Sequence, residues 1–299
     1  MAKSGGEVRV ACAQFDPIFG ARDANIASSL TILATCTARG ARIAVLPELA
    51  SSGYVFESRD EAFELGEEVP SGPACRAWTD FAQTNRVYVV AGLPERSGAE
   101  LYNTAVLCGP DGFVGKYRKL HLWGDENLYF EAGQDIPPVY RTVVGRIGLA
   151  ICYDAWFPEV FRLIASRRAD LVCIPFNNEV VVREGVSATE MAVTLCRGAA
   201  HVNSFCIAIA NRVGTERGVV FGGQSALVNY SGAVLAGPAA GDATEVVIGD
   251  VDVSAARRGL ARNCFNNPLK DRRTDVYGDV ADGLCAKRAT GGTLAGNLR

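Results

Sequence analysis

The stretch Ile147-Gly148-Leu149-Ala150-Ile151-Cys152-Tyr153-Asp154-Ala155-Trp156-Phe157-Pro158-Glu159 sets the reading of the whole chain. An apolar run of strand character stops at Cys152. A helix is expected within a few residues, because Pro is favoured at the first helical position and acidic side chains in the first turn. A strand that bends sharply into a helix exposes the residue at the bend. Helix-start N–H groups aimed at a cysteine there are expected to lower its thiol pKa and to offer donors to a developing oxyanion. Of ten cysteines only Cys152 has this setting, which makes it the candidate nucleophile, whereas Cys12, Cys173 and Cys206 sit in β-like runs as small hydrophobes.

Outward from this elbow the chain alternates strand-like and helix-like segments with no linker. Upstream, strands are expected at Glu7 to Gln14, Ala41 to Leu46 and Val87 to Leu93, with helices at Asp23 to Arg39 and Ala74 to Asn85. Tyr102 to Cys108 and Gly112 to Arg118 read as a hairpin around Gly109, Pro110 and Asp111. The second half repeats the rhythm. Val139 to Val144 and Arg146 to Ile151 flank a turn at Gly145, a helix covers Pro158 to Arg167, and Ala169 to Pro175 is a strand. A helix at Ala188 to His201 precedes strands at Ser204 to Ala210, Gln224 to Asn229, Ala233 to Ala236 and Glu245 to Val251. Helices followed by pairs of strands, twice over, imply an α/β protein whose sheets are covered on one face and stack on each other through the other. From about Ser254 a segment that holds Arg257, Arg258, Arg262, Lys270, Arg272 and Arg273 and ends in a Gly/Ala/Thr-rich stretch reads either as a solvated terminus or as an arm reaching across an oligomer interface.

Composition limits the chemistry. The chain has 299 residues, 48% of them hydrophobic, and 30 basic against 33 acidic residues leave a formal charge of −3. That balance carries no electrostatic footprint for nucleic acid or anionic lipid, so a small-molecule substrate is expected. The first dozen residues lack the pattern of a signal or transit peptide, and no apolar run approaches the roughly 20 residues of a membrane helix. A reducing, cytoplasmic setting is the expectation. Two histidines rule out a three-His metal site, and no cysteine pair has CxxC spacing.

A cysteine nucleophile needs a base. His121 is one option. The other is Glu48, delivered with Pro47 at the carboxyl end of the buried run Arg42 to Leu49, where α/β proteins place active sites. Partial desolvation there would raise its pKa towards that of a useful general base; the plain alternative is a carboxylate on an ordinary loop. In Gly115 to Leu122, alternation puts Tyr117 and Lys119 on one face and Lys116 and Arg118 on the other. Lys119 can then enter a cleft while its neighbours stay wet, although such a run is commonly just a solvated edge.

These residues carry a resemblance. Glu48 in LPE, Lys119 in KYRKLHL and Cys152 in ICYDAWFPE resemble, in order and spacing, the Glu-Lys-Cys triad of the nitrilase, or carbon–nitrogen hydrolase, superfamily. VRVACAQFDP, LYNTAVL, ANRVGTE, FGGQSALVNYSG and DRRTDVYG extend the likeness along nearly the whole chain. The resemblance implies a four-layer α-β-β-α sandwich, one such domain over 1–275 with a C-terminal tail at 276–299, and assembly into a homodimer or larger homo-oligomer. It also implies thiolate attack on a nonpeptide C–N bond, with Glu48 as base, Lys119 stabilising the tetrahedral species, Glu126 as a second glutamate and the Tyr153 N–H at the oxyanion. No metal or organic cofactor is implied.

Tyr153-Asp154 after the nucleophile is similar to amidase and carbamoylase branches, whereas true nitrilases usually have Trp-Glu there. The substrate implied is a small carboxamide or N-carbamoyl amine; a nitrile substrate, or a noncatalytic binding role, are the alternatives. Tyr54, Trp156 and Phe176 either wall an apolar pocket or belong to the core, and Asn177 lies in the expected pocket segment after Pro175. His201 stands where many relatives have Glu.

Overall fold

The computed structural model describes residues 6–183 and 185–277. The contacts divide the chain into two compact units, Met1–Leu260 and Ala261–Arg299. Among the described residues the first contains sixteen strands: β1 Glu7–Gln14, β2 Ile43–Val45, β3 Tyr88–Ser97, β4 Glu100–Gly109, β5 Gly112–Arg118, β6 Val139–Thr142, β7 Gly145–Leu149, β8 Leu171–Pro175, β9 Val182–Arg183, β10 Val186–Ser187, β11 Cys206–Ala210, β12 Val213–Glu216, β13 Val219–Gly222, β14 Ala226–Val228, β15 Val234–Ala236 and β16 Glu245–Asp252. Its helices are α1 Arg22–Ala38, α2 Arg59–Leu65, α3 Pro73–Asn85, α4 Glu126–Tyr129, α5 Pro158–Ser166, α6 Ala188–Asn203 and α7 Val253–Arg258.

Two six-stranded sheets have the orders β16-β1-β2-β3-β4-β5 and β6-β7-β8-β11-β14-β15. Read in that direction, both run antiparallel, parallel, parallel, antiparallel, antiparallel. The repeat seen in the sequence is therefore a repeat of topology. The sheets pack face to face through β1 against β11 and β14, and β2 and β3 against β8. Helices α1 and α3 cover the first sheet, and α6, with α5 beside it, covers the second. The result is the expected α-β-β-α sandwich. The central strands β2, β8 and β11 are buried along their whole lengths, as strands covered on both faces must be. Trp78 of α3 is fully buried under the first sheet, its indole N–H answered by Ser29 of α1 at 2.8 Å.

Several local features differ from the sequence reading. The β9–β10 and β12–β13 hairpins lie where no strand was expected, and α2 and α4 are short helices within expected loops. The chain after Ser254 does not begin as a solvated terminus. Val253–Arg258 is helical, capped by Asp252, and Arg257 pairs with the buried Asp170 at 2.6 Å. The described part of the second unit begins with turns in which Asn263, Asn267 and Asp271 accept backbone N–H bonds, and 274–277 is a single helical turn. Apart from Val276 and Tyr277, the expected tail at 276–299 lies outside the described residues. Among the described residues no helix is long and apolar enough to cross a membrane.

Candidate active site

The chemistry-bearing residues sit just beyond the carboxyl ends of strands. Glu48 follows β2, Lys119 follows β5, Cys152 follows β7, Asn177 and Asn178 follow β8, and Asn211 follows β11. After β2 the chain must turn hard against β3, and Gly92 makes room for it. A Cβ at Gly92 would lie 2.5 Å from the Leu49 nitrogen and 2.6 Å from the Glu48 Cα. The turn is held there because the Gly92 N–H donates to Pro47 O and Gly92 O accepts from the Ala50 N–H.

Alternation along β5 sorts its charges as expected. Lys116 and Arg118 both bond Glu95, while Tyr117 and Lys119 turn inward. The Lys119 ammonium, fully buried, donates to Glu48 Oε1 at 2.6 Å and to Glu126 Oε1 at 2.7 Å. Asn103, from the neighbouring strand β4, donates to the same Glu48 Oε1 at 2.7 Å. Among the described residues Glu48 Oε2 has no hydrogen-bond partner. Burial, reinforced by Glu126 and opposed by Lys119, raises the Glu48 carboxyl to about 7. Burial opposes the charge on Lys119, but Glu126 and Glu48 together outweigh it and raise its pKa above the ordinary lysine value.

Cys152 has a positive φ of 41°, a left-handed conformation rare for a residue with a side chain. It heads a single 3-10 turn, Cys152–Trp156, and α5 starts only at Pro158. This corrects the expectation of a lowered thiol pKa: no regular helix begins at the sulfur. Burial and Glu48 push the thiol well above its ordinary value, against the opposing pull of Lys119 and the Asn177 backbone. The Cys152 sulfur lies 3.9 Å from Asn178 Oδ1.

Asp154 closes the elbow. One carboxylate oxygen accepts from the Ile151 N–H and the Tyr117 hydroxyl, and the other meets the His121 N–H and ring Nδ1, the latter at 2.8 Å. The His121 ring also stacks on Phe157 at 3.6 Å. His121 is thus held by Asp154 and Phe157, and among the described residues it has no bond to Cys152.

Two hollows open beside these groups. The larger, about 360 Å³, is lined by residues including Tyr153, Trp156, Asn177 and Asn178. The smaller, about 280 Å³, includes Tyr54 and Glu126. Tyr54 donates its hydroxyl to Glu126 at 2.7 Å, so it belongs to the polar network and not to an apolar wall. Its position is fixed by Glu216, which accepts the Tyr54 N–H and is paired with the buried Arg212. Phe176 lines neither hollow. Its N–H continues the sheet ladder to Ala210 O, and alternation turns its fully buried ring into the core, away from Asn177. His201 is exposed and lines neither hollow. Asn103 and Trp123 were not singled out as site residues in the sequence, since isolated polar or aromatic residues carry no spacing signal; Asn178 and Glu179 stood there only as members of the pocket segment after Pro175. Among the described residues no group of three or more His, Cys, Asp or Glu is placed to hold a metal ion.

A family model described as carbon–nitrogen hydrolase matches residues 9–259. A protein named nitrilase from Pyrococcus abyssi is 35% identical over 270 residues, spanning 90% of this chain and 99% of the relative. A protein named (R)-stereoselective amidase from a Pseudomonas species is 31% identical over 260 residues, spanning 86% and 89%. Among solved structures, a carbon–nitrogen hydrolase from Helicobacter pylori superposes with a TM-score of 0.81 at 27% identity, covering 92% of this chain and 98% of the other.

Proposed function

The chain belongs to the carbon–nitrogen hydrolase family, and from that premise we propose that it hydrolyses a small carboxamide or N-carbamoyl amine through a thioester on Cys152. The observation that carries this reading is the division of labour on Glu48. Its Oε1 is fixed by Lys119 and Asn103, while among the described residues its Oε2 is left open and the carboxyl is raised to about 7. A carboxylate poised near neutrality is suited to take a proton and return it.

Glu48 takes the Cys152 proton as the sulfur attacks the carbonyl carbon. The C–O π pair moves to oxygen, and Lys119 with the Tyr153 N–H stabilises the oxyanion. Collapse re-forms the carbonyl and breaks the C–N bond, and Glu48 passes its proton to the departing nitrogen. Ammonia or amine leaves and a thioester remains. Water then gives a proton to Glu48 and its oxygen to the acyl carbon, and the thiol is regenerated as the acid departs. Glu126 keeps Lys119 in place from its other side.

The test is ammonia or amine release by wild type and Cys152→Ala. Turnover should fall by on the order of 10⁴-fold or more with the thermal midpoint preserved, and the acyl-enzyme mass should appear only in wild type. A Cys152→Ala protein of full activity overturns the mechanism. The relative named nitrilase motivates one further arm: the same thiolate can add to a nitrile carbon, so paired nitriles and amides of equal chain length decide which bond is preferred.

A further inference from the structure

The segment Ala210-Asn211-Arg212-Val213-Gly214-Thr215-Glu216 leads into and forms β12, and the hydrolytic steps use none of its charges. Arg212 is fully buried. Its guanidinium donates to Glu216 at 2.8 Å, to Asp16 at 2.7 Å and to Pro17 O at 2.9 Å, and it lies 4.2 Å from the centre of the Phe221 ring. Glu216 divides its oxygens: one takes the Arg212 bond, and the other accepts the N–H groups of Tyr54 and Val55, 162 and 161 residues away in the chain. Gly53 allows this approach. Its φ is +86°, and a Cβ there would lie 2.6 Å from the Glu216 carboxylate and 2.7 Å from the Phe19 Cα. Phe221 also meets the Tyr54 ring edge-on at 5.9 Å. Arg212 thus reaches Tyr54 by two routes, through a carboxylate to its backbone and through a ring to its side chain.

Desolvation offsets much of the attraction in a buried ion pair, so stability alone is a weak reason for this one. What the pair holds in place leads to the reacting groups. Tyr54 donates its hydroxyl to Glu126 Oε1 at 2.7 Å, the same oxygen accepts from the Lys119 ammonium at 2.7 Å, and Lys119 reaches Glu48 at 2.6 Å. The Trp123 N–H holds the other oxygen of Glu126. Glu216, Tyr54, Glu126 and Lys119 are all buried, so water does not replace a lost link.

Resting on the hydrolase reading above, we propose that Arg212 and Glu216 are positioning residues of the reaction: they hold Tyr54 so that its hydroxyl fixes Glu126, and Glu126 in turn aims Lys119 at Glu48 and the oxyanion. A misplacement of about 1 Å at such a group costs on the order of a hundredfold in rate.

Two double variants that remove both charges separate positioning from ion pairing. Arg212→Met with Glu216→Gln keeps an acceptor for the Tyr54 N–H, whereas Arg212→Met with Glu216→Ala does not. With ammonia release from butyramide, butylurea and butyronitrile as the assay, the Gln pair should keep kcat near that of wild type. The Ala pair should lose on the order of tenfold to a hundredfold, with KM little changed. Tyr54→Phe should lower kcat by itself and lower it no further when added to the Ala pair. If the Ala pair does not fold, Glu216→Asp, which keeps the charge but draws the carboxylate back by one methylene, takes its place in the same comparison. Equal kcat in the Gln pair and the variant set against it, or losses that multiply with Tyr54→Phe, overturn the positioning role while leaving the thiol mechanism standing. If wild type hydrolyses none of the three compounds, the rate of Cys152 alkylation by iodoacetamide, read by mass, replaces kcat. The same pattern in that rate sustains the positioning role even as the hydrolytic reading fails. Its absence, or a Cys152 that iodoacetamide does not label, overturns it.

Discussion

The Tyr117 hydroxyl donates to Asp154 at 2.8 Å, and this bond ties the turn carrying Cys152 to the strand whose end carries Lys119. The bond is buried, so its loss leaves a carboxylate short of a donor where water does not replace it. Tyr117→Phe is expected to cost about 1–3 kcal/mol in urea unfolding and to lower kcat more than it raises KM, because the thiol and the ammonium lose their shared anchor. A variant with wild-type kcat would show that the two elements are positioned without it.

Glu48 predicts a pH dependence with a definite sign. Its carboxyl stands at about 7 in the fold, against about 4.3 in an unfolded chain. Since the ionised form is the base, kcat/KM should rise with pH along an acid limb centred near that value. Linkage gives the opposite trend for stability. With the folded pKa raised, the contribution of Glu48 is fully present below its unfolded pKa and is lost as pH rises through the folded one. Glu48→Gln should remove activity and flatten that part of the stability profile, which thermal midpoints across the window would show.

Removing Lys119 leaves two carboxylates, Glu48 and Glu126, buried without their common counter-ion. Lys119→Met is expected to destabilise by about 3–5 kcal/mol, read from denaturant midpoints, and to abolish turnover. Adding Glu126→Gln to that variant removes one of the stranded charges, so stability should recover in part while activity does not.

Gly92→Ala tests the seat of the base. The new methyl would meet backbone atoms of Glu48 and Leu49, which cannot swing aside. The turn must shift, and kcat should fall by on the order of tenfold to a hundredfold with a lower thermal midpoint. Gly198→Ala is the control: its Cβ would enter open space on α6, and the change should be neutral or stabilising by about 0.4–1 kcal/mol.

The strand-and-helix rhythm was legible because each long element writes its own period into local sequence. β1 begins and ends where alternation and apolar content placed it, and α3 and α6 agree to within two residues. The β12–β13 hairpin and the short helices α2 and α4 were not legible: elements this brief carry too little periodicity, and α4 takes its place from the tertiary bonds of Glu126. The same limit applies to the site. Glu48, Lys119 and Cys152 each announced themselves by standing at a strand end, whereas Asn103 looks like an ordinary polar residue until folding brings it beside the others.

Sequence alone determined which residue types stand at the ends of which strands, since that follows from pleat, helix start and chain order. Only the tertiary structure decided their electrical state. Glu48 and Lys119 are 71 residues apart in the chain yet 2.6 Å apart in space. Burial pushes the Cys152 thiol up where the sequence led one to expect a lowered pKa, and it raises the Glu48 carboxyl to about 7, because desolvation depends on what surrounds a group in three dimensions.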